Sequence, residues 1–238
     1  MDERIIELRQ YLLRPGQRDV LIELFDREFV ETQEQVGMAI LGQFRDLDRP
    51  DHFVWLRGFH DMPGRAEALR RFYTGPAWKA HGRAAVATMI DSDDVLLLRP
   101  TSLDRGIPAA RPPIGHTEPP ASAMLVTLHF RDRPFDETFA KFFDEEVRVT
   151  LGELGATPIA GLQTEYAENT YPALPVRDGE HVFAWIARFP DVAALDEHRR
   201  RLERSQRWRE LTLPGLLAEG VTGSQSLRLT PTARSRLR

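Results

Sequence analysis

Three side chains suited to chemistry alternate along one predicted strand near the start of the chain. Glu7, Arg9 and Tyr11 share one face of "IIELRQYLL", because successive side chains of a strand point to opposite sides. A guanidinium presents a fork of donors that fits a carboxylate, an enolate or a phenolate. A tyrosine hydroxyl can donate a hydrogen bond to a developing oxyanion. With Arg57 from "FVWLRGFHDM", these residues predict a site for a small acidic or oxygen-bearing ligand.

The second half of the chain offers a comparable set on "MLVTLHFR". Thr127, His129 and Arg131 alternate along it, and histidine changes its charge near neutral pH. We therefore expect His129 to move a proton while Arg9 anchors the ligand. The predicted catalytic residues are Arg9, Tyr11 and His129, and the predicted ligand-binding residues are Glu7, Phe53, Trp55, Arg57, Thr127 and Trp185.

A purely structural role for the charged residues is an equally weighted alternative. Glu7 and Arg9 would then pair with each other, or with Arg57 across the strands, because buried ionic networks also occur for structural reasons. The residue types alone leave both interpretations open.

Other motifs point to no further site. The cluster "DSDD" at 91–94 suggests a cation site by its three carboxylates. Asp and Ser before a strand are nevertheless usual turn formers, so we predict a turn and no metal site. The patterns HExxH, GxSxG, Walker A and GxGxxG are absent from the sequence. Zincin, α/β-hydrolase, P-loop and Rossmann functions therefore have no sequence support.

The segments that are predicted to position these residues occur twice in the chain. "FVWLRGFHDM" at 53–62 and "FAWIARFPDV" at 183–192 place Phe, Trp, Phe and Asp at the same positions, and the same shift of 130 puts Trp78 on Trp208. Segments 95–101 and 226–232 match at a shift of 131, and segments 5–11 and 125–131 match at a shift of 120. The matches keep their order, which indicates an internal duplication.

A proline-rich segment separates the two copies. "PTSLDRGIPAARPPIGHTEPPA" has six prolines and no apolar periodicity, which is typical of an extended linker. The predicted organisation is a first ferredoxin-like unit at 1–100, a linker at 101–121, a second unit at 122–232 and a loose basic tail at 233–238.

Apolar periodicity and turn residues predict the order βαββαβ in each unit. The predicted strands are 4–13, 39–47, 52–60 and 94–100 in the first unit and 123–131, 157–167, 180–189 and 224–230 in the second. The predicted helices are 17–36, 63–74, 76–87, 136–154 and 191–204. Two such units predict an α+β fold with two antiparallel four-stranded sheets.

Composition excludes several classes of protein. The 238 residues carry a formal net charge of −4, which argues against a nucleic-acid partner. Cysteine is absent, so disulfides, thiolate metal sites and a cysteine nucleophile are excluded. No apolar run approaches the roughly 20 residues that span a bilayer, and the N-terminus lacks the pattern of a signal peptide. We therefore expect a cytoplasmic protein with no membrane partner.

Two segments of the first unit resemble the NIPSNAP family. "IIELRQYLLRPGQ" is similar to the opening of its domain, and "FYTGPAWKAHGRAAVATMIDSDDVLLLRP" is similar to the end of the domain in bacterial members. The resemblance implies the dimeric α/β barrel superfamily, in which two sheets pack face to face around a cavity. Two chains supply the sheets in most relatives, whereas the duplication implies that one chain supplies both here.

The barrel gives each strand a face toward the helices and a face toward the interior. On the first strand Ile6, Leu8 and Leu12 form the apolar set, which we expect beneath the helices. The alternating set that begins with Glu7 and Arg9 would then point into the barrel. The aromatic residues would form the wall of this cavity.

The resemblance implies several functions. The first hypothesis is binding of a small aromatic or carboxylated metabolite, with turnover by a cofactor-independent enzyme of oxygenase or isomerase type. The alternative is a ligand-binding or stress-related protein without turnover. A haem-binding barrel with His129 as axial ligand is third. One chain already supplies both sheets, but exposed sheet edges would favour a homodimer.

Overall fold

Alternating side chains along eight segments produce eight strands, which close into one barrel. The structure, a computed structural model, describes residues 3–101 and 110–238. The strands are β1 (Ile5–Leu13), β2 (Ala39–Asp46), β3 (His52–Phe59), β4 (Met89–Pro100), β5 (Ala123–Arg131), β6 (Pro158–Thr164), β7 (His181–Phe189) and β8 (Val221–Pro231). They pair antiparallel in the order β1-β3-β2-β8-β5-β7-β6-β4, and β4 closes the ring on β1.

The barrel consists of two sheets of four strands each. Strands β1–β4 form one sheet and β5–β8 the other, and the sheets join edge to edge at β2–β8 and β4–β6. The predicted α+β fold of two βαββαβ units packed as one barrel is confirmed. Closure also pairs the sheet edges on which the expectation of a homodimer rested.

Helices cover the outer faces of both sheets. They are α1 (Arg18–Leu24), α2 (Val30–Glu34), α3 (Met62–Tyr73), α4 (Pro76–Ala87), α5 (Glu137–Phe142), α6 (Arg148–Glu153), α7 (Val192–Arg204) and α8 (Leu213–Ala218). One π-helical turn joins α1 to α2 at Phe25–Phe29, and a second joins α5 to α6 at Phe143–Val147. The two copies therefore share even an irregularity. The sequence did not predict α8 or the π-helical turn before it, Trp208–Thr212.

The repeated aspartate of the two similar segments begins a helix in each copy. The Asp61 side chain accepts from the Gly64 amide at 2.7 Å, and the Asp191 side chain accepts from the Ala194 amide at 2.8 Å. Each satisfies one of the amides that a helix start leaves unpaired. The duplication thus preserves a helix cap at this position.

The barrel interior is a packed aliphatic core. Ile6 and Leu8 from β1 meet Val126 and Leu128 from β5 there, within one cluster to which all eight strands contribute. The expectation that the apolar set of β1 lies beneath the helices was wrong. An eight-stranded barrel is just wide enough for side chains to fill it, and both faces of β1 are buried. Apolarity alone therefore could not identify the interior face.

The opposite faces of the strands carry the aromatic residues. Tyr11, Phe53, Trp55 and Phe59 pack between the first sheet and its helices. Phe183, Trp185 and Phe189 take the same position in the second sheet. The duplicated aromatic residues therefore face the helices and do not line the interior.

The C-terminal residues are packed rather than loose. Beyond β8 the backbone continues along β2, where the Leu237 amide donates to the Leu41 carbonyl at 2.9 Å. Arg234 is 3% exposed, and its guanidinium donates to the Glu31 carboxylate. Residues 102–109 of the predicted linker lie outside the described part of the chain. In the remainder, Arg111 donates to the Ile40 carbonyl and so holds the linker against β2.

Two further expectations concern single segments. The turn predicted at "DSDD" was wrong, because residues 91–94 belong to β4, with a shift in pairing opposite Leu12. Across residues 3–101 and 110–238, no helix is long and apolar enough to cross a membrane.

Candidate functional site

One buried carboxylate binds three guanidinium groups between the first sheet and its helices. Glu7 on β1 accepts from Arg9 Nη1 at 2.6 Å, from Arg57 Nε on β3 at 2.7 Å and from Arg65 Nε on α3 at 2.6 Å. All four side chains are at most 1% exposed. We call Glu7, Arg9, Arg57 and Arg65 the arginine cluster.

The arginine cluster carries more positive than negative charge. Burial alone would raise the pKa of Glu7, but Arg57, Arg9 and Arg65 hold it well below its ordinary value, so the carboxylate stays ionised. Burial lowers the pKa of Arg65, and Glu7 partly offsets that effect. Three guanidinium groups against one carboxylate leave a positive electrostatic potential in a layer where water does not screen it.

Several donors at the cluster lack a partner among the described residues. The buried Nη2 atoms of Arg57 and Arg65 and the indole nitrogen of Trp55 form no hydrogen bond. The Arg57 guanidinium also lies 5.1 Å from the centre of the Trp55 ring, so part of its charge faces an aromatic surface. Unmet buried donors beside excess positive charge suit an anionic or oxygen-bearing ligand.

An aromatic cavity of about 120 Å³ adjoins the arginine cluster. Its lining comprises Tyr11, Leu21, Phe25, Phe29, Gln33, Trp55, Phe72, Tyr73, Trp78, Ala85, Val86, Met89, Ser92 and Leu174. Gln33 and Tyr11 connect the wall to the cluster, because Gln33 Oε1 accepts from Arg57 Nη1 at 3.3 Å and the Tyr11 oxygen accepts from Arg9 Nε at 3.0 Å. A cavity of about 150 Å³ accepts benzene, so the volume suits a single ring or a short carboxylate.

Tyr11 is the polar group best placed to meet a ligand in this cavity. Its oxygen accepts from Arg9, which leaves the hydroxyl proton available for donation. Burial raises the pKa of Tyr11, and the nearby Arg9 only partly offsets this, so the hydroxyl stays protonated at neutral pH. Tyr11 can therefore donate a hydrogen bond to a carbonyl, a carboxylate or a phenolate oxygen.

The second half of the chain closes this site of the first half. In the connection between β6 and β7, residues 165–180, the Asn169 side-chain oxygen accepts from Arg65 Nη1 at 2.9 Å. Tyr171 stacks on Tyr73 with ring centres 6.1 Å apart, and Leu174 forms part of the cavity wall. The site therefore depends on both halves of the chain.

Strand pairing aligns the two copies residue by residue. Trp55 lies opposite Arg9 in the β1–β3 pair, and its counterpart Trp185 lies opposite Thr127 in the β5–β7 pair. Thr127 is therefore the counterpart of Arg9. The predicted match of segments 5–11 and 125–131, which pairs Arg9 with His129, was wrong by two residues. A strand shifted by two keeps its side chains on the same face, so the alternation of residue types did not reveal the error.

The second copy replaces the arginine cluster by uncharged side chains. The π-helical turns align the first helices, and the capping residues Asp61 and Asp191 align α3 with α7. The replacements are Glu7 by Leu125, Arg9 by Thr127, Gln33 by Leu151, Arg57 by Ala187 and Arg65 by Leu195. Phe139, Phe143 and Phe183 pack in that layer. The same fold thus forms without these charges.

The predicted proton carrier lies away from the site. Strands β1 and β5 occupy opposite positions in the ring of eight, so their outward faces point in opposite directions. His129 Nε2 accepts from the Trp185 indole at 3.1 Å, and Nδ1 lies 2.7 Å from Ser224 Oγ. Burial lowers the pKa of His129 to about 4, so the ring is neutral at pH 7.

The surroundings of His129 do not fit a haem iron. Both ring nitrogens have partners, and the side chain is 3% exposed among packed residues. Over the described ranges, no group of three His, Cys, Asp or Glu residues could hold a metal ion.

The structure brings together part of the predicted set. Glu7, Arg9, Tyr11, Trp55 and Arg57 contact one another, and Tyr11 and Trp55 of this set line the aromatic cavity. Phe53 packs behind Tyr11 and Trp55. The remaining predicted residues, Thr127, His129 and Trp185, lie on the far side of the barrel. The functional roles of all nine stay predictions.

Sequence reasoning missed Arg65, Gln33 and Asn169. Arg65 shares a helix face with Ala68, Leu69 and Phe72, so an arginine within an apolar stripe was the available signal. Asn169 lies in an irregular connection that carries no such periodicity.

The NIPSNAP family model matches residues 6–104. This part of the chain is similar to a NIPSNAP domain. The matched part contains β1–β4, α1–α4 and the whole arginine cluster, whereas residues 165–180, which close the cavity, lie outside it. No curated protein matches the chain.

Solved structures similar to the chain extend beyond the part that the NIPSNAP model matches. A candidate monooxygenase from Fusobacterium nucleatum subsp. nucleatum ATCC 25586 is 10% identical, with 97% of this chain and 93% of that chain covered and a TM-score of 0.58. A second, from Lactobacillus acidophilus NCFM, is 11% identical, with 96% and 94% covered and a TM-score of 0.54. An anthrone oxidase-like protein is 13% identical, with 97% and 92% covered and a TM-score of 0.53. At such identities the likeness shows the fold alone.

Proposed function

We propose that the chain binds a small aromatic or carboxylated metabolite in the aromatic cavity, with its oxygen directed toward Tyr11 and the arginine cluster. The observation that carries this proposal is the difference between the two copies. The second copy keeps the fold with Leu125, Ala187 and Leu195 where the first has two arginines and a glutamate. Buried charges cost stability unless they are paired, so a cluster that the fold does not require suggests a ligand.

A catalytic role would use the cluster as an electrostatic stabiliser. A ligand that loses a proton becomes an enolate or phenolate, and fixed donors in a dry layer stabilise such an anion without reorganisation. Tyr11 would donate to the oxygen while Arg9 polarises the hydroxyl. Two structural neighbours are named as a candidate monooxygenase and an anthrone oxidase-like protein, and these names support an oxygenase-type reaction. The finer proposal is such a reaction, or an isomerisation, without a cofactor.

Binding without turnover is the second candidate, and one observation favours it. The three guanidinium groups hold the Glu7 carboxylate with a pKa well below its ordinary value, so this residue is a poor base. The lining of the aromatic cavity contains no histidine, aspartate or glutamate. A substrate would then have to be acidic enough to ionise without a strong protein base.

A variant that copies the second half of the chain tests the proposed site. The quadruple change Glu7→Leu, Arg9→Thr, Arg57→Ala and Arg65→Leu removes the charges together and installs the side chains that the second copy has at these positions. We expect benzoate, measured by calorimetry, to bind the wild type and not the quadruple variant, while the melting temperature is kept. Benzamide, a neutral analogue, should bind the wild type more weakly than benzoate. Equal benzoate affinity in both proteins would refute the proposed site.

Incubation with metabolite extracts separates an enzyme from a binding protein. Tyr11→Phe removes only the hydroxyl, and His129→Ala serves as a control on the opposite side of the barrel. An enzyme should consume a metabolite in the wild type and in His129→Ala, and much more slowly in Tyr11→Phe. Ligand co-purification without consumption in any of the three would leave the binding role and exclude turnover of the metabolites supplied.

A further inference from the structure

A second and larger cavity lies on the other side of the first helix. Its volume is about 460 Å³, within the usual range of about 300 to 1,000 Å³ for small-molecule sites. The lining comprises Ile22, Glu23, Asp26, Arg27, Arg45, Ile114, Gly115, His116, Thr117, Pro119, Ala233 and Arg234. We call it the linker cavity, because residues 114–119 of the linker form one wall.

The guanidinium groups on the wall of the linker cavity are all paired with carboxylates. Arg27 pairs with Glu28 at 2.8 Å, Arg45 pairs with Asp19 at 2.8 Å, and Arg234 pairs with Glu31. Every guanidinium that lines the cavity therefore has a carboxylate partner. The cavity offers no free cation to an anionic ligand.

The two carboxylates on the wall of the linker cavity, by contrast, lack a basic partner among the described residues. Within the described residues, neither Glu23 nor Asp26 forms an ion pair. One Asp26 oxygen accepts from Gln43 Nε2 at 2.9 Å. Burial raises the pKa of Asp26 to about 6. The nearby guanidinium groups of Arg234, Arg111 and Arg45 only partly offset this, and so does the hydrogen bond from the Gln43 amide. A poorly solvated carboxylate without a counterion gains most from a cation placed beside it.

In the second copy the corresponding carboxylate has an ion-pair partner, so the fold itself does not require Asp26 to lack one. The alignment of the π-helical turns matches Asp26 with Asp144. Asp144 has a partner on its own helix, because Arg148 Nε lies 3.0 Å from its carboxylate. The corresponding position in the first copy is Val30, which is fully buried and cannot serve as a counterion.

Apolar residues complete the wall. Ile22 is buried in the first core, while Ile114, Pro119 and Ala233 face the cavity from the linker and the C-terminal segment. Ile114 is 65% exposed, so a ligand in the cavity would cover apolar surface that is otherwise in water. We propose that the linker cavity binds an organic cation, an amine or guanidinium with an apolar group, with Asp26 as its counterion.

Benzylammonium is a suitable probe, and benzyl alcohol is its neutral analogue. We expect benzylammonium to shift the NMR signals of the amides at 114–117 and of Ala233 in a saturable way, and benzyl alcohol to bind more weakly. Asp26→Asn should weaken benzylammonium about tenfold or more, since a hydrogen bond to a charged group contributes about 1.5–3 kcal/mol. Asp144→Asn is the matched control and should leave the affinity unchanged.

A second variant keeps the test decisive if Asp26→Asn folds poorly. Ala233→Phe fills the linker cavity and keeps the carboxylate, so it should abolish the benzylammonium shifts. The proposal is overturned if benzyl alcohol binds as well as the cation, if Asp26→Asn keeps the wild-type affinity, or if Ala233→Phe still binds benzylammonium.

Discussion

At the scale of single residues, the carboxylate of Glu7 determines whether the arginines of the cluster can be buried between the first sheet and its helices. It is the only counterion that the described residues provide for Arg9 and Arg57, and it also neutralises Arg65. A buried guanidinium without a counterion is far more costly than a buried apolar side chain. Removing one partner and removing all of them should therefore have opposite effects on stability.

Glu7→Gln should lower the free energy of unfolding by about 3–5 kcal/mol, because it leaves three buried guanidinium groups without a negative charge. The quadruple variant, which lacks Glu7 and all three arginines of the cluster, should unfold close to the wild type. Urea unfolding followed by circular dichroism measures both. Glu67→Gln is the control, since Glu67 pairs with Arg70 at the exposed surface and its loss should leave unfolding unchanged.

His129 should make the protein less stable in acid. Its folded pKa of about 4 lies below the ordinary value of 6.5, so between these values the unfolded state binds a proton that the folded state does not. The free energy of unfolding therefore falls as pH drops from about 6.5 to about 4, by about 3 kcal/mol in total.

Urea unfolding at pH 7 and pH 4.5 checks this expectation. His129→Gln should reduce the loss of stability between the two pH values, since glutamine does not titrate there. His52 and His198 also have pKa values lowered by burial, but they are present in both proteins and cancel in the comparison. An identical loss in both proteins would show that His129 does not cause it.

At the scale of elements, close packing within α4 sets the shape of the aromatic cavity. A Cβ atom at Gly82 would lie 2.6 Å from Cε2 of Trp78, one turn earlier in the same helix. Because the Trp78 ring lines the cavity, any displacement of it changes the space for a ligand.

Gly82→Ala should therefore weaken benzoate binding several-fold, although alanine is the better helix former. Gly152→Ala in α6 is the matched control, since a Cβ there meets nothing within 4 Å. Titration calorimetry of the two variants measures the effect. Wild-type affinity in Gly82→Ala would mean that the indole moves without entering the cavity.

The elements were largely predictable, whereas their faces were not. The predicted strand at 123–131 matches β5 to the residue, because alternation and turn residues mark strand ends strongly. The face of β1 was wrongly predicted because both of its faces are buried, and the polar set is buried only through the pairing of Glu7 with arginines. Contacts such as Asn169 with Arg65 join residues 104 positions apart and leave no local pattern.

At the scale of the whole molecule, one chain should hold one aromatic carboxylate such as benzoate. The second layer fills the corresponding volume with Phe139, Phe143 and Leu195, and the arginine cluster exists only in the first. We expect calorimetry with benzoate to give one site per chain, and the quadruple variant to give none. Two equivalent sites per chain would contradict the assignment of the cavity to the first layer.

The connection at 165–180 has a consequence for symmetry. In a barrel assembled from two identical chains, any residue that closes the neighbour's site must also be compatible with a site of its own. Fusion into one chain removes that constraint, since the half that supplies Asn169 and Leu174 no longer needs to hold a ligand. The second half has thus become a cover and scaffold for the first, and a separately expressed first half would leave its cavity open to water on that side.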